Sequence, residues 1–253
     1  MRASVVLCCY NGADFIAEQV RTILASMRRC DELIISDDGS EDATVAIIKD
    51  LATEDDRITL INGPRRGVIA NFGHVLARAS GDVVFLADQD DIWDSHKISR
   101  VLRVFETFPD VMGVVHDVRV VDRRLQELAP SYFALRGSGP GLLKNFYKNS
   151  YLGMATAFRS TLLPHVLPIP RRVTMHDVWI GLNVEVFGRG YFESEVLASY
   201  RRHGANQTDL YHGSAVSIVK KRAIMGWLTL LLVFRRVAHD LRRRRRSLRS
   251  ARS

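Results

Sequence analysis

Residues 85–93 read Phe-Leu-Ala-Asp-Gln-Asp-Asp-Ile-Trp, and this stretch decides how the rest of the chain is interpreted. The apolar run Val83–Ala87 predicts a buried β-strand. It is followed by three carboxylates, those of Asp88, Asp90 and Asp91. Carboxylates crowded at the end of a buried strand repel one another and lose hydration, and a divalent cation usually compensates for this. The stretch predicts either a metal site at a sheet edge or a solvated acidic turn, and alone it favours neither.

The preceding part of the chain alternates predicted strands with predicted helices, which indicates an α/β fold with a parallel sheet covered by helices. Asn11 or Asp14 is a candidate cap of the first helix, and Ser40 is a candidate cap of the second. The predicted strands are 4–9, 32–36 and 57–61, and the predicted helices begin near residues 13, 40 and 68.

Polar residues follow the predicted strands at their carboxyl ends. Tyr10 and Asn11 follow the first strand, Asp37 and Asp38 the second, and residues 88–91 the central one. Because the carboxyl ends of parallel strands share one edge of a sheet, these groups are expected to converge. One such group alone is ordinary loop polarity, whereas three together favour a ligand-binding edge.

A phosphate-bearing ligand suits such an edge, with a divalent cation neutralising a diphosphate. The chain has no GxGxxG after its first strand and no GxxxxGK[ST], which excludes the dinucleotide fingerprint and the P-loop. The phosphate charge must then be met by the metal and by basic side chains. The candidates are Arg65, Arg66, Arg201, Arg202 and His203.

The net charge of +8 is concentrated at the C-terminus. Residues 220–253 contain twelve basic residues and one acid, so residues 1–219 carry a net charge of −3. This argues against nucleic acid as the ligand of the body of the protein. The three cysteines fit no zinc or disulfide spacing and predict reduced thiols in the cytosol. The apolar run 223–234 would span roughly 18 Å as a helix, too short to cross a bilayer.

The second half is expected to shape the substrate site. Its predicted elements include a helix over 95–108, a long strand over 111–121, a segment over 151–159, a helix from 175 to 187 and a strand over 191–200. Trp93 and Trp179 are expected in the core. His74, His96, His116 and His165 are expected to be structural or at the surface, and for His176 a structural role and contact with an acceptor stay equally open.

Five motifs together resemble the inverting family 2 glycosyltransferases of the GT-A fold: SVVLCCYNG, IISDDGS, FLADQDDIW, HDVW and RRHGAN. The match extends over about residues 1–210. The third and fifth motifs resemble those of a bacterial rhamnosyltransferase-like branch of this family. That branch builds O-antigen and other cell-surface polysaccharides. The resemblance implies a Rossmann-like, mostly parallel sheet flanked by helices. It places the transferase domain at 1–212, with a nucleotide-binding half at 1–93 and an acceptor-shaping half at 94–212.

The same resemblance implies roles for individual residues. Asp177 matches the catalytic base, although without its motif it would be an ordinary acid in the first turn of a helix. Asp90, Asp88 and His203 match positions around a bound Mg²⁺ or Mn²⁺. The residues expected to bind the nucleotide sugar, dTDP-rhamnose or a UDP-sugar, are Tyr10, Asn11, Asp37, Asp38, Asp88, Arg66 and Arg202. The expected acceptor is a glycan or a lipid-linked sugar.

Residues 213–253 are expected to form a helical, basic tail. An amphipathic helix beside clustered arginines predicts peripheral contact of residues 220–253 with anionic lipid on the inner face of the cell membrane. Packing of the apolar run on the body or on a second subunit is the alternative.

Other classes of protein fit the sequence less well. A nucleotidyltransferase needs a glycine-rich, arginine-containing first loop, which YNGADF does not supply. An aspartyl-phosphate phosphatase needs Thr or Val where Asp91 stands. A non-catalytic nucleotide-sugar-binding or membrane-scaffold protein of the same fold remains the main alternative.

Overall fold

The fold comes from a computed structural model that describes residues 1–147, 149–203, 226–234 and 236. The strands are β1 Ala3–Cys9, β2 Glu32–Asp37, β3 Ile58–Asn62, β4 Val83–Ala87, β5 Ile92–Trp93, β6 Val111–Asp122, β7 Glu127–Ala129, β8 Thr156–Arg159 and β9 Arg189–Arg202. The helices are α1 Ile16–Ser26, α2 Thr44–Glu54, α3 Val68–Leu76, α4 Lys97–Thr107, α5 Tyr132–Arg136, α6 Leu142–Tyr147, α7 Leu163–Val166 and α8 His176–Phe187.

The described strands form one sheet in the order β3-β2-β1-β4-β8-β6-β9-β5, and β7 pairs with β6. The first four strands are parallel to one another, as the alternation of strands and helices predicts. β8 then runs antiparallel to both β4 and β6, whereas β6 and β9 are parallel. The predicted α/β sheet flanked by helices is confirmed.

The central strands β1 and β4 are buried along their whole length. Parallel strands covered by helices on both faces contain continuous apolar runs, and both strands have such runs. Helices α1 and α4 bury one apolar face each, with Ile23 of α1 and Phe105 of α4 almost fully inaccessible. This packing holds the carboxyl ends of the central strands in place.

The predicted helix caps are wrong. α1 begins at Ile16, and the carbonyl of Gly12, rather than the side chain of Asn11 or Asp14, accepts the first backbone hydrogen bonds. Ser40 does not cap α2, because its hydroxyl donates to Asp37 and the helix begins only at Thr44. Tertiary contacts with neighbouring loops have replaced local capping at both sites.

The segment predicted over 151–159 is only partly extended. Residues Gly153–Ala155 form a 3₁₀ turn, and the strand covers Thr156–Arg159. The hydroxyl of Thr156 donates to the carbonyl of Leu152 at 2.7 Å, which closes this turn. The long strand predicted over 111–121 is confirmed as β6, and the last predicted strand is longer than expected, covering Arg189–Arg202.

Part of the C-terminal tail packs against the body. Residues 226–234 are helical, with Leu228 and Leu232 buried in the core. Arg236 donates from Nη1 to the carbonyl of Val186 at 2.6 Å, near the C-terminus of α8. Among the described helices, none is long and apolar enough to cross a membrane. The predicted boundary at 212/213 and the basic clusters at 220–222 and 242–246 lie outside the described residues.

Candidate functional site

The carboxyl ends of β1, β2 and β4 meet at one edge of the sheet. In the strand register Cys9 lies beside Asp37, and Leu7 lies beside Ala87. The residues that follow these strands therefore come together. This is the convergence that the polar strand ends predict.

Tyr10 and Asn11 form an exposed loop at this edge. The Tyr10 side chain is 55% exposed, so its ring is open to a ligand. Asn11 adopts a left-handed backbone conformation with φ of 47°, which Asn tolerates better than most residues. Its side-chain oxygen accepts from the backbone N–H of Glu41 at 2.9 Å. The backbone N–H of Asn11 donates to the hydroxyl of Ser40 at 2.8 Å, so this loop is attached to the start of the α2 segment.

Asp37 is buried, and its carboxylate organises its own turn. One oxygen accepts from the backbone N–H groups of Gly39 and Ser40 at 3.0 and 2.9 Å. The other accepts from the Ser40 hydroxyl at 2.5 Å and from the Cys9 thiol at 3.6 Å. The carboxylate oxygens of Asp37 thus already accept hydrogen bonds from within the protein. This geometry supports a positioning role for Asp37 rather than direct contact with a nucleotide sugar.

Asp38 shapes the adjacent loop that carries Arg65 and Arg66. One of its oxygens accepts from the backbone N–H of Arg65 at 2.7 Å, and the other accepts from that of Gly67 at 2.7 Å. The backbone N–H of Arg66 lies 3.4 Å from the first oxygen. The Arg66 residue itself is exposed. Asp38 therefore holds a basic loop at the edge of the site.

The acidic loop after β4 brings Asp90 against His203. Nε2 of His203 lies 2.8 Å from an Asp90 carboxylate oxygen, and both side chains are largely buried. The His203 ring stacks on Phe15, with their centroids 4.8 Å apart. Asp90 and His203 lie 113 positions apart in the sequence, and the folding of the chain brings them together.

Burial, together with the charges of Asp90 and Asp177, raises the pKa of Asp88 to about 7, although Lys97 opposes this shift. Asp88 lies near enough to both carboxylates to be affected by each of them. The carbonyl of Asp88 accepts from the buried side chain of Gln19 at 2.9 Å. Two acidic groups in this loop and one at the start of α8 thus lie close enough for Asp88 to interact electrostatically with the other two.

Asp91 and Lys97 form the buried base of this loop. Each is 1% exposed. Nζ of Lys97 donates to the carbonyl of Met154 at 2.7 Å and lies 3.4 Å from the centre of the Trp93 ring. Burial lowers the Lys97 pKa and raises that of Asp91. Asp91 is therefore enclosed by protein at the base of the loop, and Trp93 is packed in the core as predicted.

The chemistry of the donor set fits a hard divalent cation. Asp88, Asp90 and His203 provide carboxylate oxygens and an imidazole nitrogen, which Mg²⁺ or Mn²⁺ accepts together with phosphate oxygens. Within the described ranges, no group of three or more His, Cys, Asp or Glu side chains is already arranged to hold a metal.

Asp177 lies in the first turn of α8, as the HDVW motif predicts. Burial raises its pKa to about 6, although hydrogen bonds from the backbone of Val178 and Gly153 and from the side chain of Asn149 oppose this shift. The residue keeps some exposed surface, while its carboxyl group is surrounded by protein. A carboxylate with such a pKa is suited to general-base chemistry near neutral pH.

An aromatic and basic cluster borders Asp177. Nη1 of Arg202 donates to the Tyr200 hydroxyl at 3.1 Å, and the rings of Tyr200 and Tyr132 meet edge to face at 6.1 Å. Arg136 lies one helical turn beyond Tyr132 on α5. Burial raises the pKa of Tyr132 and Asp177 adds to this effect, whereas Arg136 and Arg202 oppose it. Arg202 is thus close to Tyr132, the residue whose pKa Asp177 also affects.

Several residues of this site have no signal in the sequence. Asn149 and Gly153, which bind Asp177, lie in a loop and a 3₁₀ turn without a recognisable motif. Tyr132 and Arg136 lie on a short helix that periodicity does not reveal. Gln89 lies inside the acidic motif, which could have drawn attention to it, but its contacts depend on the loop after β1.

The remaining histidines and tryptophans follow the predictions in part. His116 is buried and structural, and Trp179 is in the core, donating to the carbonyl of Val166 at 2.7 Å. His176 is buried and stacks on Phe72 at 3.6 Å, which supports the structural alternative. All three cysteines are free.

Comparison with known proteins identifies the family. The profile described as "Glycosyl transferase family 2" matches residues 4–162, more than half of the chain. An uncharacterized glycosyltransferase of Nostoc sp. is 30% identical over 234 residues, covering 88% of this chain and 70% of that protein. The undecaprenyl-phosphate 4-deoxy-4-formamido-L-arabinose transferase of Edwardsiella ictaluri is 28% identical over 221 residues, covering 82% of this chain and 63% of that protein.

A solved structure shares the fold. The mannosyltransferase PcManGT of Pyrobaculum calidifontis, in complex with GDP-Man and Mn²⁺, superposes with a TM-score of 0.64 at 17% identity. The match covers 94% of this chain and 73% of that one. GDP-Man and Mn²⁺ are ligands of PcManGT. The likeness shows the GT-A fold alone. Together with the family match, it establishes that this chain is a glycosyltransferase of the GT-A fold and belongs to glycosyl transferase family 2.

Proposed function

We propose that this protein is a metal-dependent, inverting glycosyltransferase that moves a sugar from a nucleoside diphosphate to an acceptor hydroxyl. One observation carries the proposal. The buried carboxyl group of Asp177, with a pKa of about 6, interacts electrostatically with Asp88, which belongs to the loop in which Asp90 meets His203. This proximity supports a proton acceptor beside a set of metal and phosphate ligands.

The residues have distinct roles in the proposed reaction. Asp177 accepts the proton of the acceptor hydroxyl as its oxygen attacks the anomeric carbon. The bond from that carbon to the diphosphate breaks on the opposite side, so the configuration inverts and the diphosphate leaves with the bonding electrons. Asp88, Asp90 and His203 would hold a Mg²⁺ or Mn²⁺ ion, which when bound neutralises charge on the diphosphate. Arg202, which is close to Tyr132, would contribute positive charge.

The proposed donor site is the sheet edge beside the acidic loop. The exposed ring of Tyr10 offers a surface for the base. Asn11 and Asp38 bound the site on one side, and Arg66 is exposed on the loop that Asp38 holds. Asp37 supports this edge from below through its turn. We propose a dTDP-rhamnose or UDP-sugar donor, in keeping with the resemblance to the rhamnosyltransferase-like branch.

The proposed acceptor is a glycan or a lipid-linked sugar used in cell-surface polysaccharide synthesis. A relative named as an undecaprenyl-phosphate sugar transferase supports a lipid-linked molecule. Tyr132, Arg136 and Arg202 lie beside the base on the acceptor-shaping half. An aromatic and basic wall suits a sugar ring that is attached to phosphate.

We also propose that the tail binds anionic membrane from the cytoplasmic side. On helix 226–234, Leu228 and Leu232 face the core, whereas Trp227 and Phe234 are 57% and 69% exposed. Leu230 and Leu231 extend the exposed apolar surface. The sequence on both sides of this helix is rich in Lys and Arg. An exposed aromatic surface beside a strong positive charge is typical of helices that lie in a lipid interface.

The proposed function is tested with a panel of nucleoside diphosphates and their sugars, each with and without Mn²⁺ or Mg²⁺. We expect a metal-dependent rise in the thermal unfolding midpoint with dTDP or UDP compounds. We also expect slow, metal-dependent hydrolysis of the matching nucleotide sugar. The Asp177→Asn variant should bind the nucleotide nearly as wild type and lose most turnover. Full turnover in this variant would disprove the assignment of the base, and binding without any turnover of wild type would favour a non-catalytic binding protein.

Membrane contact is tested by sedimentation with vesicles that contain phosphatidylglycerol. The full chain should sediment with these vesicles and remain in solution with purely phosphatidylcholine vesicles. The double variant Trp227→Ser with Phe234→Ser should sediment less, because it removes two exposed aromatic side chains. A chain without residues 220–253 that still binds the anionic vesicles would contradict the proposal.

A further inference from the structure

The side chain of Gln89 joins the two loops of the donor edge. Its Oε1 accepts from the backbone N–H of Tyr10 at 2.8 Å, and its Nε2 donates to the carbonyl of Tyr10 at 3.2 Å. An amide side chain thus pairs with both backbone polar groups of one residue, as a neighbouring strand would. The ladder between β1 and β4 ends at the pair Leu7 and Ala87. Gln89 continues the connection beyond that point.

The surrounding residues leave space for this arrangement and hold it. A Cβ atom on Gly12 would lie 2.4 Å from Oε1 of Gln89, so a larger residue at position 12 would displace the amide. Gln19, which is fully buried, donates to the carbonyl of Asp88 at 2.9 Å. The acidic loop is therefore attached to α1 through Gln19 and to the Tyr10 loop through Gln89.

The two joined loops have different tasks in the proposed function. The exposed ring of Tyr10 would contact the nucleobase, and Asp88 and Asp90 would bind the metal and the diphosphate. A nucleoside diphosphate spans both loops, so its binding depends on the distance between them. Two loops that moved independently would lose conformational entropy when a bound ligand fixed the distance between them. Loops that Gln89 already joins do not lose this entropy on binding.

We propose that Gln89 is a positioning residue that sets the Tyr10 loop and the acidic loop at the spacing required by a nucleoside diphosphate. This inference rests on the proposed function. It assigns Gln89 no direct contact with the ligand, because both ends of its amide are engaged with Tyr10. A connection of this kind couples binding of the nucleobase to binding of the metal ion. Each then improves the affinity of the protein for the other by the same factor.

The experiment measures binding of UDP, dTDP and GDP by calorimetry, with and without Mn²⁺, in wild type and in Gln89→Leu and Gln89→Glu. Gln89→Leu removes both hydrogen bonds at similar volume, and Gln89→Glu keeps only the acceptor. In the presence of Mn²⁺, we expect Gln89→Leu to weaken binding of the nucleoside diphosphate with the highest affinity by about tenfold. The increase in affinity that Mn²⁺ produces should also be smaller in this variant. Gln89→Glu should lie between Gln89→Leu and wild type. The exposed Gln126 supplies the control Gln126→Leu, which should match wild type.

Hydrogen exchange without ligand separates positioning from a general loss of structure. In Gln89→Leu the backbone N–H of Tyr10 should exchange faster, while those of β1 and β4 keep their protection. Wild-type affinity and an unchanged Mn²⁺ gain in Gln89→Leu would overturn the inference while the proposed function stands. Absence of any diphosphate binding by wild type would instead contradict the proposed function, and the inference with it.

Discussion

Asp177 combines two opposing influences on one carboxyl group. The N-terminus of α8 and the hydrogen bonds from Val178 and Gly153 favour the charged form. Burial favours the neutral form and is the larger effect, so the pKa rises from its ordinary 3.8 to about 6. The same burial keeps water away from the group that would accept the proton of the acceptor.

The raised pKa predicts the pH dependence of activity. Because only ionised Asp177 can accept a proton, kcat/KM should fall below about pH 6 with a slope of one in a logarithmic plot. The profile is measured with saturating Mn²⁺ and the donor found in the nucleotide panel. A profile that stays flat down to pH 5 would contradict the role of Asp177.

It also predicts an effect on stability. A carboxyl group whose pKa is raised by folding stabilises the protein fully below about pH 4, and this contribution is lost as the pH rises through about 6. Asp177→Asn removes the buried charge and should raise the free energy of unfolding by about 1 kcal/mol near pH 8, with no gain near pH 4. Urea unfolding at the two pH values measures this. A loss of stability near pH 8 would indicate that the hydrogen bonds of Asp177 outweigh its burial.

At the scale of elements, α8 connects Asp177 with the rest of the molecule. Asp177 lies at its N-terminus, and Arg236 of the tail binds the carbonyl of Val186 near its C-terminus. The middle of the helix packs closely on Tyr151, whose hydroxyl donates to Glu185 at 3.0 Å. A Cβ atom on Gly181 would lie 2.5 Å from the Tyr151 ring. The position of Asp177 therefore depends on this close contact.

Two helical glycines provide a matched test of that contact. Gly181→Ala should destabilise the protein by about 1–3 kcal/mol, because the ring or the helix must move. Gly73 lies in α3, where the nearest atoms to an added Cβ are 3.9 Å away. Gly73→Ala should therefore stabilise the protein by about 0.5–1 kcal/mol through its higher helix propensity. Denaturant unfolding measures both variants, and an equal effect of the two would refute the packing argument.

For the whole molecule, one continuous sheet joins the first four strands to the second half of the chain. β8 pairs with both β4 and β6 and so connects these two parts. Asp88, in the acidic loop after β4, interacts electrostatically with Asp177 at the start of α8. The tail helix packs against the same body through Leu228 and Leu232, while its other side stays exposed.

The two sides of the tail helix predict different effects of substitution. Leu232→Ala should lower the free energy of unfolding by about 2–5 kcal/mol, because Leu232 is fully buried. Phe234→Ala should change it by less than about 0.5 kcal/mol, because Phe234 is largely exposed. Thermal and urea unfolding distinguish the two. Equal effects would mean that the described docking of this helix does not occur in solution.

Much of the architecture could be predicted from local patterns. The strands β1, β2 and β4 have apolar runs that end in polar residues. Such a run indicates a buried strand from its own residues, without information about distant segments. The helix caps were predicted wrongly at Asn11, Asp14 and Ser40, because those side chains bind segments distant in the sequence instead of the nearest helix. Local capping rules cannot account for partners that are distant in the sequence.

The sequence alone determined the α/β class, the edge at which polar residues gather and the motifs that mark the family, because period, composition and motif order are properties of the chain itself. Only the tertiary structure decided that Asp37 is enclosed in its own turn and that Asp90 meets His203. It also decided that Gln89 joins two loops and that burial raises the pKa of Asp177. Hydrogen-bond partners and desolvation depend on which distant segments surround a side chain, and this is set only when the whole chain has packed.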